Sequence, residues 1–244
     1  MRKPFAWITL LLLGIGLGGC ASTPWFSGLD SEGLYAEASA RMERGDWADA
    51  VEAFERFLIL HPADPRAPDA RLQLARAFGE RGEHLSASAE YERFLERHPT
   101  DPRAADAALG MCRSYEELSP IAQRDQEYTR QAVTFCQRVA LDFPGTPQAD
   151  EAEVVREEML GKLARAEFEV GRFYESLNAL DSAILYYEAV AERYPATETA
   201  PSALLQLFLI YQRLEWGPEA EGVKERLLTL YPDSAAAAEV RDVD

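Results

Sequence analysis

The chain has 244 residues, of which 47% are hydrophobic and 27% charged, with 14 Pro and 15 Gly. That balance suits a folded chain with a sizeable core and excludes long disordered tracts. The formal charge of −17 argues against sequence-independent binding to nucleic acid, which needs Lys and Arg to displace counterions, and against a broad basic surface for anionic lipid.

The first nineteen residues read as a secretory leader. Arg2 and Lys3 precede an apolar run from Phe5 to Leu17, which is too short and Gly-rich for a comfortable membrane span. The run ends Leu17-Gly18-Gly19-Cys20. This resembles a bacterial lipobox, where cleavage before the Cys is coupled to its acylation, so Cys20 is the expected lipidation site. The alternative is an ordinary signal peptide with a stray Cys. Three acyl chains exceed the two signals needed for stable anchoring, which places the mature protein on a membrane without spanning it. By resemblance to Gram-negative lipoproteins, Ala21 after the Cys implies the outer membrane. Residues 20–30 then form a lipidated Cys and tether, with a reach of at most ~35 Å. Trp25 and Phe26 either dip into the membrane interface or pack on the first helix.

One phrase then returns five times. An Ala stands twelve residues before a Pro at Ala50/Pro62, Ala87/Pro99, Ala132/Pro144, Ala183/Pro195 and Ala220/Pro232. The residue before each Pro carries a ring: His61, His98, Phe143, Tyr194 and Tyr231. The Pro residues recur at intervals of 37, 45, 51 and 37, a period that marks stacked helical hairpins.

In repeat one, Leu34, Tyr35, Ala38 and Met42 recur at helical spacing. Gly45 is expected to end that helix and Asp46 to cap the next, on which Trp47, Ala50, Phe54 and Phe57 face inward. Repeat two carries Leu74, Ala75, Phe78, Gly82, Ala87, Tyr91 and Phe94 in the same order. Asp64-Pro65 and Asp101-Pro102 follow the first two terminal prolines, and there Asp is expected to cap the next helix with Pro in its first turn. Repeat three is stretched. Its first helix holds Ala108, Met111, Cys112 and Tyr115, Ser119-Pro120 stops it, and Arg124-Asp125-Gln126 leads into a helix with Ala132, Phe135, Cys136 and Val139. From Pro147 to Leu177 no Pro intervenes, which predicts one long helix or two with a bend near Gly161 or Gly171. Repeat five has Leu204, Leu207 and Tyr211, then Gly217-Pro218 at its turn. The tail from 233 to 244 is expected to form a short polar cap.

The pattern resembles the tetratricopeptide (TPR) consensus. The predicted fold is all-α, a right-handed α-solenoid of about five TPR-like hairpins preceded by a lipoprotein signal peptide. Residues 31–118 hold the N-terminal repeats and the first helix of repeat three, and residues 119–232 the C-terminal repeats. Such arrays bind on a concave face lined by the first helix of each hairpin. Tyr35, Arg41, Arg76 and Arg113 are the candidate groove residues, where arginines beside aromatics suit a chain-terminal carboxylate and aromatic. An intramolecular ion pair or core contact is the alternative for each.

No nucleophile elbow, phosphate loop or metalloprotease motif is present, and neither an enzyme activity nor a cofactor is expected. The three His residues, His61, His84 and His98, lack partners at metal-ligand spacing. Glu116-Glu117 and Glu157-Glu158 read as solvated helix faces rather than paired catalytic carboxylates.

The lipobox, the five hairpins, the Arg124-Asp125-Gln126 connection and the stretch Leu163-Ala164-Arg165-Ala166-Glu167-Phe168-Glu169-Val170-Gly171-Arg172-Phe173-Tyr174 together resemble the BamD family. These are lipoproteins of the outer-membrane β-barrel assembly machinery. The resemblance runs over about 30–232. It implies a periplasmic scaffold on the outer membrane whose partners are the periplasmic domains of a BamA-like barrel, other lipoproteins of the complex and unfolded outer-membrane proteins. In the family the N-terminal repeats are associated with substrate signals and the C-terminal repeats with BamA. This chain departs in a shorter connection at 117–130, and in Tyr186 and Tyr187 where basic residues are common. Another TPR lipoprotein that organises envelope or cell-division enzymes is the alternative. In the periplasm, Cys112 and Cys136 on the two helices of repeat three are free to pair if their Cα atoms lie within about 7 Å. Two buried free thiols are the simpler reading.

Overall fold

The computed structural model describes residues 28–241. The leader, Cys20, Trp25 and Phe26 lie outside the described residues. Those described form eleven helices and no strand. Five hairpins follow one another. The first pairs α1 (Ser31–Arg44) with α2 (Trp47–Leu60), and the second α3 (Ala67–Glu80) with α4 (His84–Arg97). The third pairs α5 (Ala104–Leu118) with α6 (Glu127–Asp142), the fourth α7 (Pro147–Ser176) with α8 (Leu180–Arg193), and the fifth α9 (Thr199–Arg213) with α10 (Gly217–Leu230). A short α11 (Ala235–Val240) closes the end.

The recurring phrase has a direct structural cause. Ala50, Ala87, Ala132 and Ala183 are fully buried and Ala220 is 6% exposed, because each lies where paired helices approach and a larger side chain would force them apart. The ring-bearing residues before Pro are all C-caps: His61, His98, Phe143, Tyr194 and Tyr231 share φ between −127° and −135° and ψ between 47° and 52°. Proline's ring bars the α conformation in the residue before it, so each helix stops at the same station. His61 and His98 pack on Phe57 and Phe94, with ring centroids 5.6 and 5.4 Å apart. Their role is structural.

The first helices touch along the array, α1 to α3, α3 to α5, α5 to α7, α7 to α9 and α9 to α11, while successive second helices do not meet. The first helices therefore form the inner face of a solenoid and the second helices its outer face. α7 runs unbroken for 30 residues, through both Gly161 and Gly171, so this stretch is one helix rather than two. Its first half packs Ala152, Val155 and Met159 into the core of hairpin three, and its second half packs Ala164 and Phe168 into that of hairpin four. One helix thus couples both halves of the array.

Four local expectations need correction. Asp46 stands at an N-cap but makes no capping bond; its carboxylate turns to Arg44 at 3.3 Å. Asp64 and Asp101 do not cap α3 and α5. Each accepts the backbone N–H two residues on, from Arg66 or Arg103 at 2.9 Å, forming an Asx-type turn that places Pro65 and Pro102 before the helices start. The turn of hairpin five is made by Glu215 at φ 59° rather than by Gly217, just as Asn178 at φ 57° serves hairpin four where Gly45 and Gly82 serve the first two. The C-terminal cap is not polar on its inner side, since Ala236, Ala237 and Val240 are buried against α9 and α10.

Candidate functional site

The groove residues expected from the sequence separate into two pairs. On α1, Tyr35 donates its hydroxyl hydrogen to Asp69 on α3. Burial first, and then that carboxylate, push its pKa up to about 12. Arg41 reaches Glu37 at 3.0 Å and also pairs with Asp49 at the start of α2. Both side chains join elements within the array.

Arg76 and Arg113 occupy the same station one 37-residue interval apart, and both are exposed. They flank a cleft of ≈ 200 Å³ on the inner face, between α3 and α5 with the start of α4 as its floor. Tyr91 lies at its base, 9% exposed. Burial pushes the Tyr91 pKa up while the Arg76 guanidinium beside it acts in the opposite sense, so the phenol stays protonated. Gly110 makes room for that ring: a Cβ there would lie 2.4 Å from Tyr91 Cζ. Glu80, His84 and Glu117 complete the rim, and Arg113 donates through Nε to Glu151 on α7 at 2.7 Å. The arrangement sets Arg76 across the cleft from Arg113, which is held by Glu151; a carboxylate entering beside Tyr91 would meet Arg76 directly and would compete with Glu151 for Arg113.

A ladder that the sequence alone did not reveal runs along the edge where hairpins join. The side chain four residues after each of the first three repeat-closing prolines donates to the preceding repeat: Arg66 to Ser31 at 3.4 Å, Arg103 to Asp69 at 2.8 Å and Gln148 to Asp106 at 2.7 Å. Arg66 also lies over the rings of Tyr35 and Phe57, and Arg103 over Phe94, at 5.1 to 5.7 Å. The signal was present in the recurrence of Arg66 with Arg103, and of Asp69 with Asp106, at the interval of the prolines.

Cys112 and Cys136 are joined by a disulfide between α5 and α6, with Cα atoms 4.9 Å apart. The simpler reading of two free thiols does not describe this hairpin. Of the two tyrosines on α8, Tyr187 is fully buried and donates to Glu175 at 2.8 Å, while Tyr186 stacks on Tyr174 at 5.5 Å between centroids. Among the described residues, no group of three His, Cys, Asp or Glu side chains is placed to hold a metal, and no helix is long and apolar enough to cross a membrane.

The model of the YfiO family, described as outer membrane lipoprotein, matches residues 28–227. The outer membrane protein assembly factor BamD of Caulobacter vibrioides is 27% identical over 224 residues, which is 90% of this chain and 73% of the relative. BamD of Rickettsia prowazekii is 27% identical over 227 residues, 92% of this chain and 90% of the relative. Among solved structures, a TPR repeat protein of Bacteroides fragilis aligns at 12% identity and a TM-score of 0.49, covering 87% of this chain and 96% of its own. A TPR protein of Thermus thermophilus aligns at 20% identity and a TM-score of 0.38, with the same coverage.

Proposed function

Since the chain belongs to the YfiO family of outer membrane lipoproteins, we propose that it is a non-enzymatic assembly factor for outer-membrane β-barrel proteins, anchored by lipid at Cys20 to the periplasmic face of the outer membrane. The observation that carries this reading is the match to two BamD assembly factors over nine-tenths of the chain. In this reading the inner-face cleft between Arg76 and Arg113 takes the terminal carboxylate and aromatic side chain of an unfolded barrel protein. The C-terminal hairpins, stiffened by α7, meet the periplasmic domains of a BamA-like barrel. With Tyr187 buried, α8 offers that contact the exposed Leu185, the half-exposed Tyr186 and the exposed Arg193 at its C-terminal end.

Co-purification from solubilised outer membrane tests the proposal. A BamA-like barrel should come down with the tagged chain, and its reproducible absence would overturn the reading. Recovery of cell-wall or septation enzymes instead would favour a different TPR lipoprotein scaffold.

A further inference from the structure

The outer face carries a cleft that belongs neither to the Arg76–Arg113 groove nor to any motif of the sequence. It lies between α4 and α6 with α5 as its floor and has a volume of ≈ 440 Å³. Leu95, Ala108, Met111, Phe135, Val139 and Phe143 supply its apolar lining. Four charged side chains stand on its rim: Glu92 and Glu96 on α4, and Arg138 and Asp142 on α6.

Comparison with the preceding repeat shows why this cleft is open. The same groove between α2 and α4 is closed by Arg71 on α3, which pairs with the buried Glu90 on α4. One repeat later, the station of Arg71 is held by Ala108, and that of Glu90, nine residues before the closing Pro, by Phe135. A charged pair that fills the groove is thus replaced by a small residue and a ring, and an apolar recess remains. At the same station, repeat five has the fully buried Leu204. Among the described residues, hairpin three alone combines a small residue on the floor with an apolar wall. That wall is fixed, because Cys112 and Cys136, which bridge α5 and α6, are the chain neighbours of Met111 and Phe135. A preformed recess spares a ligand the cost of organising it.

The rim sets the sign of the occupant. Glu92 and Glu96 are like charges one helical turn apart, an arrangement that costs a few tenths of a kcal/mol on a helix. None of the four rim charges has an ion-pair partner among the described residues. Three carboxylates against one guanidinium repel phosphate-bearing lipid and attract cationic side chains. At ≈ 440 Å³ the recess has room for large apolar side chains, and it opens to solvent between the two helices, so a chain segment can lie across it.

We infer that this cleft is a second docking site, for a peptide segment of a partner protein that presents a large apolar side chain flanked by Lys or Arg. It does not depend on the assembly-factor reading, since the chemistry is local to hairpins two and three.

The test uses the full chain in detergent and a short fluorescein-labelled peptide with a Leu-Phe-Leu centre and two Arg on each side, followed by anisotropy. Ala108→Arg with Phe135→Glu installs the ion pair of the preceding repeat and should weaken binding by about tenfold or more. The surface variant Glu92→Lys with Glu96→Lys leaves the core untouched and should weaken it by a similar factor. A peptide with Glu in place of the four Arg should bind worse than the parent. Failure of the wild-type chain to bind the basic peptide, equal binding by both variants, or preference for the Glu peptide would overturn the inference. So would binding to phosphatidylglycerol vesicles that the Ala108→Arg/Phe135→Glu variant abolishes while peptide binding persists.

Discussion

Tyr35 on the first helix donates its hydroxyl hydrogen to Asp69 on the third. Asp69 accepts on its other oxygen from Arg103, which precedes the fifth helix, at 2.8 Å. A single carboxylate therefore ties three successive hairpins along the edge of the array. Three later tyrosines repeat the chemistry: Tyr187 donates to Glu175 at 2.8 Å, Tyr194 to Glu167 at 3.0 Å and Tyr211 to Glu188 at 2.9 Å.

These phenols make stability sensitive to alkali. Burial, with the neighbouring carboxylate, pushes Tyr35, Tyr194 and Tyr211 up to about 12, against about 10 for an unfolded tyrosine. A raised phenol favours the protonated form in the fold. Its contribution is therefore complete below about pH 10 and is lost as pH rises through 12. Ultraviolet titration should show a late group of tyrosines, and Tm should fall across that window. Tyr35→Phe should reduce the late amplitude by one tyrosine. Titration of every tyrosine near 10 with a flat Tm would contradict the account.

The Arg71–Glu90 pair should behave as a buried ion pair. Both side chains are nearly covered, at 13% and 10% exposure. Glu90→Ala strands the Arg71 guanidinium and should cost about 3 kcal/mol in urea unfolding. The double change Arg71→Ala with Glu90→Phe copies the next repeat and should cost less than the sum of the single changes. Strict additivity would mean the two groups are not coupled.

The Cys112–Cys136 bridge spans 24 positions. By loop-closure entropy it should stabilise the chain by about 3 kcal/mol. Cys112→Ala with Cys136→Ala should lower Tm, and reduction of the wild type should lower it similarly. Alkylation of unreduced mature protein should label neither thiol. Labelling of both would remove the bridge from this account.

Glu215 sits at φ 59°, a left-handed conformation that costs an ordinary residue about 1 kcal/mol or more. Glu215→Gly should therefore raise stability by roughly 0.5 to 1 kcal/mol, after the greater chain entropy of glycine is discounted. A loss of stability would show that the glutamate side chain holds the turn.

These features were unevenly legible. The hairpins could be read because their signals are local: an Ala at each crossing, a pre-Pro stop, and Gly45 and Gly82 at left-handed turns. Glu215 and Asn178 take the same conformation, but Glu carries no turn signal, and the pattern points to Gly217 instead. An Asp before Pro, as at Asp64 and Asp101, suits an Asx turn as well as a cap, and the local sequence does not separate the two. The open cleft depends on which side chains meet between repeats. It becomes visible only when Arg71 is set against Ala108, and Glu90 against Phe135, in a shared frame. The pairing of Cys112 with Cys136 likewise depends on the offset of α5 against α6, which the stretched connection at 119–126 hides. Of the four groove candidates, only Arg76 and Arg113 line a common cleft, because Tyr35 faces the inter-repeat ladder and Arg41 faces its own hairpin turn.

The most direct measurement of the central claim is depletion of the chain in its host, followed by quantitative proteomics of the outer membrane. A broad fall in β-barrel proteins is expected, with unfolded precursors accumulating in the periplasm and lipoproteins unchanged. Unaltered β-barrel levels alongside a septation defect alone would contradict it.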